Sequence, residues 1–223
     1  MQLFDIIGPV MVGPSSSHTA GAARIGEVAR CLMGEPIVSA GIYFHGSFLA
    51  TGKGHGTDRA LTAGLMGMRV DDPRIPDAFR IADAMGLKLT FGAADLGESA
   101  HPNSVKLNLT GKSGKTLEII ASSIGGGRIM ISRIDGLKAV FSGDHPTLIV
   151  QNDDTPGKIA LISEMLYHSR INIATMQLDR DIRGGHAVTV LELDQEIPDQ
   201  DLHWLAAQEG ILKVTYLSLK EVN

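Results

Sequence analysis

The C-terminal third of the chain alternates strand and helix signatures in an order that leaves few folds open. Residues 147–152 (TLIVQN) are a short β-rich apolar run. Thr155 then offers an N-cap, and Pro156 suits the first helical position, where a missing N–H costs nothing. Ile159, Ile162 and Leu166 recur at i, i+3 and i+7, one face of a helix ending near His168. Residues 171–178 (INIATMQL) and 186–193 (HAVTVLEL) read as strands around the turn formers Arg183-Gly184-Gly185. Pro198 opens a second helix with Leu202, Leu205 and Ala206 inward, and 211–219 (ILKVTYLSL) is a last strand. The order is βαββαβ, which predicts a ferredoxin-like, four-stranded antiparallel sheet with two helices on one face.

The rest of the chain alternates differently and reads as α+β. Ser17 can cap a helix whose apolar face is Ile25, Val28, Ala29 and Leu32, stopped by Gly34. Residues 36–44 suit a strand. Thr57 or Asp58 can cap a second helix with Leu61, Leu65 and Met68 inward, and a third is expected over 76–85. Val105, Leu107 and Leu109 alternate with polar residues, Gly111-Lys112-Ser113-Gly114 turns the chain, and residues 116–120 alternate again, which predicts a hairpin. A further strand is expected over 128–133. Glycines thin out after Pro146, so the expected division is residues 1–145 and 146–223.

Composition narrows the class of function. Hydrophobic residues make up 43% and charged residues 20%, a balance that supports a packed core and argues against disorder. A net charge of −5 with no basic cluster excludes nucleic acid as a natural partner. No apolar run approaches the roughly 20 residues of a membrane span. The opening MQLFDIIGPVMVG has no basic stretch before its apolar residues, so no signal peptide is expected. The sole cysteine, Cys31, rules out an internal disulfide framework and fits a reducing cytoplasm. By itself it cannot build a cysteine-rich metal site.

Four polar loops stand at the edges of the first domain's expected elements. In Ser15-Ser16-Ser17-His18-Thr19, one hydroxyl would suffice as a plain cap; three hydroxyls and an imidazole exceed that need. At a helix's positive end the ring of His18 is kept neutral and can act as a base. Gly52-Lys53-Gly54-His55-Gly56-Thr57-Asp58 is not a phosphate-binding P-loop, because its lysine is followed by glycine; it is either a flexible turn or a place of close backbone approach to a small ligand. In His101-Pro102-Asn103-Ser104 the proline biases the histidine toward extended geometry. Ser122-Ser123-Ile124-Gly125-Gly126-Gly127 is either a strained turn or a nest of N–H groups for a carboxylate. A small anion with several hydrogen-bonding groups, such as an amino acid, suits the four together.

These strings resemble the beta chain of the bacterial two-subunit iron–sulfur L-serine dehydratases. Gly13-Pro14-Ser15-Ser16-Ser17-His18-Thr19 and Thr51-Gly52-Lys53-Gly54-His55-Gly56-Thr57-Asp58 are the most recognisable, with only Ala50 departing from the pattern. The C-terminal βαββαβ stretch resembles the family's ACT domain, so the resemblance spans essentially the whole chain. It implies conversion of L-serine to pyruvate and ammonium with a 4Fe–4S cluster, whose cysteines would come from a separate alpha chain, with no metal ligand on this one. It implies that His18, His55 and His101 transfer or orient protons, with the base left open among them. Ser15, Ser16, Ser17, Thr19, Thr57, Asn103, Ser122 and Ser123 would bind substrate, and Gly125, Gly126 and Gly127 would cradle its carboxylate. In the ACT-like tail, Asp153, Asp154, Thr155, Pro156 and Gly157 would meet Asn172 and Ile173 across an interface to hold serine as an effector, in a homodimer of heterodimers. A non-catalytic, serine-sensing module like that of some phosphoglycerate dehydrogenases is the alternative.

Overall fold

The computed structural model describes residues 10–218, and the chain divides into two compact units between Gly136 and Leu137. The opening residues 1–9, part of the stretch on which the signal-peptide expectation rests, and residue 219 of the expected last strand lie outside the described residues.

In the first unit, a π-helical turn (Ser16–Ala20) runs directly into helix α1 (Gly21–Met33), which Gly34 ends at φ 70°. Strand β1 (Ile37–Phe44) follows, then α2 (Gly46–His55), α3 (Thr57–Leu65), a 3₁₀ turn (Ile75–Asp77) and α4 (Ala78–Ala84). Strands β2 (Lys88–Ala93), β3 (Ser104–Gly111), β4 (Thr116–Gly125) and β5 (Arg128–Ile134) complete the unit. Its strands lie in the order β2-β1-β3-β4-β5, with β1 and β2 parallel and the other pairs antiparallel. Ile25, Val28, Ala29 and Leu32 of α1 are buried, as are Leu107, Leu109, Leu117 and Ile119 of the β3–β4 hairpin. That alternation of buried and open positions is what the sequence pattern anticipated.

Helices α1 and α3 approach closely because glycines face each other at the crossing. A Cβ on Gly26 would lie 2.3 Å from the Leu61 carbonyl oxygen, and one on Gly64 2.0 Å from that of Ala23. The crossing joins two chemically interesting segments, since α1 continues the His18 turn and α3 continues from His55.

The second unit begins with β6 (Leu137–Phe141), then β7 (Thr147–Asp153), α5 (Lys158–His168), β8 (Ile173–Arg180), β9 (His186–Leu193), α6 (Asp199–Ala206) and β10 (Ile211–Leu217). From β7 onward the order is βαββαβ, and the antiparallel sheet order β10-β7-β9-β8 is consistent with a ferredoxin-like fold. Leu148, Val150, Leu191 and Leu193 of the sheet form one core with Ile162, Met165 and Leu166 of α5 and Leu205 of α6. Both helices therefore cover the same face.

Several local expectations are corrected. Ser15, not Ser17, caps the first helical turn, accepting from the His18 N–H at 3.1 Å. The glycine stretch expected as a loop is largely the last turn of α2, and only Gly56 (φ 66°) breaks it. Gly56 is also the N-cap of α3, in place of Thr57 or Asp58. Helix α5 begins at Lys158 with Gly157 (φ 96°) as N-cap, two residues after the Thr155 cap the sequence suggested. In the last two cases a left-handed backbone position decides the boundary, and glycine takes it without strain. Strands β2 and β6 were not anticipated.

Candidate active site

The four loops close into a ring. Thr19 donates its hydroxyl proton to the His55 carbonyl at 3.0 Å, joining the first loop to the second. The backbone N–H groups of Ser47 and Phe48, at the start of α2, both donate to the Pro102 carbonyl, which joins the second to the third. Ser123 N–H donates to the Asn103 carbonyl, and the Ser104 and Ser122 hydroxyls lie 2.7 Å apart, which joins the third to the fourth. A Cβ on Gly21 would fall 2.0 Å from Ser123 Oγ, so the fourth loop abuts the helix that leaves the first.

Inside the ring, hydrogen-bond partners surround two histidines. The Thr51 hydroxyl lies 2.9 Å from the Ser47 carbonyl, to which it can donate, and 3.0 Å from His18 Nε2. With its proton on the carbonyl, the same oxygen accepts from Nε2–H. Ser47 Oγ lies 3.1 Å from that nitrogen as well. His18 Nδ1 faces Ser17 Oγ at 3.2 Å. Burial, and then the neighbouring charge of His55, lower the pKa of His18 from its ordinary 6.5, opposed by a hydrogen bond at Ser47. The Nδ1 of His55 lies 3.1 Å from the Thr51 carbonyl, which can only accept, so Nδ1 carries a proton and in the neutral ring Nε2 carries the lone pair.

The two rings lie 4.9 Å apart between centroids, and Phe48 packs edge-on against His18. His55 lines a cleft of about 220 Å³ with Thr19, Lys53, Gly54 and Arg59. Two cations beside a basic nitrogen suit a small carboxylate bearing an acidic C–H or X–H bond.

The remaining candidates divide by exposure. Ser15, Ser16, Ser17 and Asn103 are partly open. His101 is exposed, and its Nδ1 accepts from the Asn103 N–H at 3.1 Å. Thr57 and Ser123 are fully buried, with hydroxyls that find no partner among the described residues. Ser122 is buried too and is spent on Ser104. Gly125, Gly126 and Gly127 have φ values of 96°, 63° and 77° in the tight β4–β5 turn, a geometry that calls for glycine with or without a ligand.

Comparison with known proteins now decides the family. A family model described as the serine dehydratase beta chain matches residues 2–94. The probable L-serine dehydratase beta chain of Bacillus subtilis is 43% identical over 216 residues, covering 97% of each chain. The L-serine dehydratase beta chain of Peptoniphilus asaccharolyticus is 38% identical over 196 residues, 88% of each. The chain belongs to the serine dehydratase beta-chain family. A D-3-phosphoglycerate dehydrogenase of Bacillus subtilis is 27% identical over 199 residues, 89% of this chain but 37% of that protein.

As a serine dehydratase beta chain, it offers no home for an iron–sulfur cluster. Such clusters need several thiolates, and the sole cysteine, Cys31, is buried on α1. Among the described residues no three His, Cys, Asp or Glu side chains come together as a metal site. No helix of the described residues is long and apolar enough to cross a membrane.

In the second unit, Asp154 already accepts from Gly184 N–H at 2.9 Å and from Arg180 at 3.1 Å; the Gly184 bond does most to hold its carboxyl below the usual range. Asn172 donates to Asp194 at 2.6 Å. Asp153 sits at the end of β7 paired with His186, whereas Ile173 pairs with Leu193 at the opposite end of β9. Within one copy these two candidate segments are thus about 20 Å apart along the sheet.

Sequence reasoning missed Ser47, Thr51, Lys53 and Arg59. The first two had a signal: Ser47, Thr51 and His55 recur every four residues, one face of a helix. Three glycines in ten residues masked it.

Proposed function

We propose that this chain is the beta subunit of an L-serine dehydratase and, with an alpha chain, deaminates L-serine to pyruvate and ammonium. The observation that carries the reading is the near full-length match to two beta chains, with the histidine ring built from the strings that mark the resemblance. Lys53 and Arg59 hold the serine carboxylate in the cleft. His55 Nε2 takes the Cα proton, and the C–H electron pair becomes the Cα–Cβ double bond as hydroxide leaves Cβ. The resulting aminoacrylate tautomerises to an imine, and water releases pyruvate and ammonium. His18, neutral and fixed by Thr51 and Ser47, keeps the second ring from adding positive charge beside the base. The thiolates of the 4Fe–4S cluster belong to the alpha chain.

In the same reading residues 1–145 form the substrate domain and 146–223 an ACT domain. The opposite placement of the 153–157 loop and the 172–173 segment favours an effector site shared by two copies, and hence a homodimer of heterodimers. The match to a phosphoglycerate dehydrogenase supports the alternative, a serine-sensing module without turnover. It is weaker and covers a minor part of that protein.

Oxygen-free co-expression with an alpha chain separates the two. Pyruvate should appear from L-serine, and His55→Ala should lower turnover by about 10²–10⁴-fold at unchanged cluster content. Serine binding without pyruvate, in an assembled complex with full cluster content, would establish the sensing module instead.

A further inference from the structure

Four of the chain's six phenylalanines line one pocket beside α2. Phe48 and Phe44, 1% and 8% exposed, form its fixed wall, while Phe91 stands 42% exposed at its mouth. Phe44 meets Phe48 edge-on at 6.1 Å and stacks with Phe91 at 6.4 Å; Phe79 meets Phe91 edge-on at 5.6 Å. The volume, about 480 Å³, falls within the ~300–1,000 Å³ usual for small-molecule sites. Two charged side chains of opposite sign, Lys53 and Asp58, complete the lining. Among the described residues neither makes an ion pair, with the other or with any third group, and Asp58 Oδ1 accepts only the Arg59 backbone N–H, at 2.8 Å.

We infer that this pocket binds an L-α-amino acid with a large apolar side chain. The phenyl rings take the side chain, Lys53 the carboxylate and Asp58 the ammonium. An aromatic wall of this size gains most from displacing water with hydrocarbon, so serine, with a single hydroxymethyl group, is a poor fit. Opposite charges that line one pocket without pairing complement a zwitterion, which satisfies both at once. A neutral apolar ligand would leave both charges uncompensated. Because Lys53 also lines the histidine cleft, an occupied pocket draws that ammonium toward itself.

Calorimetric titration of the full-length chain tests this without requiring any catalytic activity. L-Leucine and L-phenylalanine should bind saturably at one site per chain. Phe91→Ala and Phe79→Ala should each weaken them by about tenfold or more. Asp58→Asn should weaken L-phenylalanine by a similar factor and leave 3-phenylpropionate, which lacks the ammonium, unchanged. Far-UV circular dichroism checks folding; should an alanine variant unfold, the Asp58→Asn comparison decides alone. The inference is overturned by no saturable heat up to about 10 mM ligand, by unchanged affinity in the folded variants, or by L-serine binding as tightly at the same site.

Discussion

Thr51 orients His18. Its hydroxyl lies 3.0 Å from His18 Nε2 and 2.9 Å from the Ser47 carbonyl, and so ties the ring to helix α2. Thr51→Val preserves the volume and removes that partner. In the assembled enzyme kcat should fall about tenfold, equivalent to one hydrogen bond of ~1.4 kcal/mol, with KM little changed; Thr51→Ser should restore it. A Thr51→Val enzyme with wild-type kcat would show that Ser47 alone suffices. The sequence exposed His18 and His55 because imidazoles in Ser-rich and Gly-rich strings exceed structural need. Their partners stayed hidden because they belong to a helix the glycines disguised. Thr57, Ser122 and Ser123, which the sequence offered for substrate, are all buried, a property that depends on how the loops pack and that no local string displays.

Helix α2 shows why such an element is hard to read locally. Glycine costs about 1 kcal/mol relative to alanine in a helix interior, and Gly52 and Gly54 lie in its last turns. Tertiary contacts offset this. Pro102, far along the chain, caps two of the N–H groups that a helix start leaves unpaired, and Gly52 allows the Thr57 side chain close approach. Neither partner is visible within a local window. The α1–α3 crossing rests on the same device, and Gly64→Ala tests it. Intrinsic propensity predicts a gain of up to ~1 kcal/mol, but the added methyl meets backbone 2.0 Å away at Ala23. Overpacking typically costs about 1–3 kcal/mol, and here the obstacle is a rigid carbonyl rather than a side chain. The variant should therefore melt several degrees below wild type in thermal denaturation. An unchanged or raised Tm would mean that the helices separate at little cost.

At the scale of the molecule, the second unit was the more legible, because its strands are short β-rich apolar runs, its helices repeat at three to four, and short turns separate them. What periodicity could not show is how the loop after β7 and the start of β8 relate. The β7–β9–β8 register places them at opposite ends of one sheet, so a shared effector site needs a second copy. This makes cooperativity the natural readout. Serine acting as both substrate and effector should give a sigmoidal rate curve, and coupling of about 1–3 kcal/mol would shift affinity roughly 5–150-fold. Asp154→Asn retains an oxygen for the Gly184 N–H while removing the charge that would meet the effector's ammonium. Asn172→Ala acts from the other segment and leaves the 153–157 loop intact. Each should flatten the curve toward a hyperbola while turnover at saturating serine stays near wild type. Two variants from opposite ends of the sheet producing the same change would tie the ends together through a partner copy. Sigmoidal kinetics unaltered in both would leave the unit a role in assembly alone.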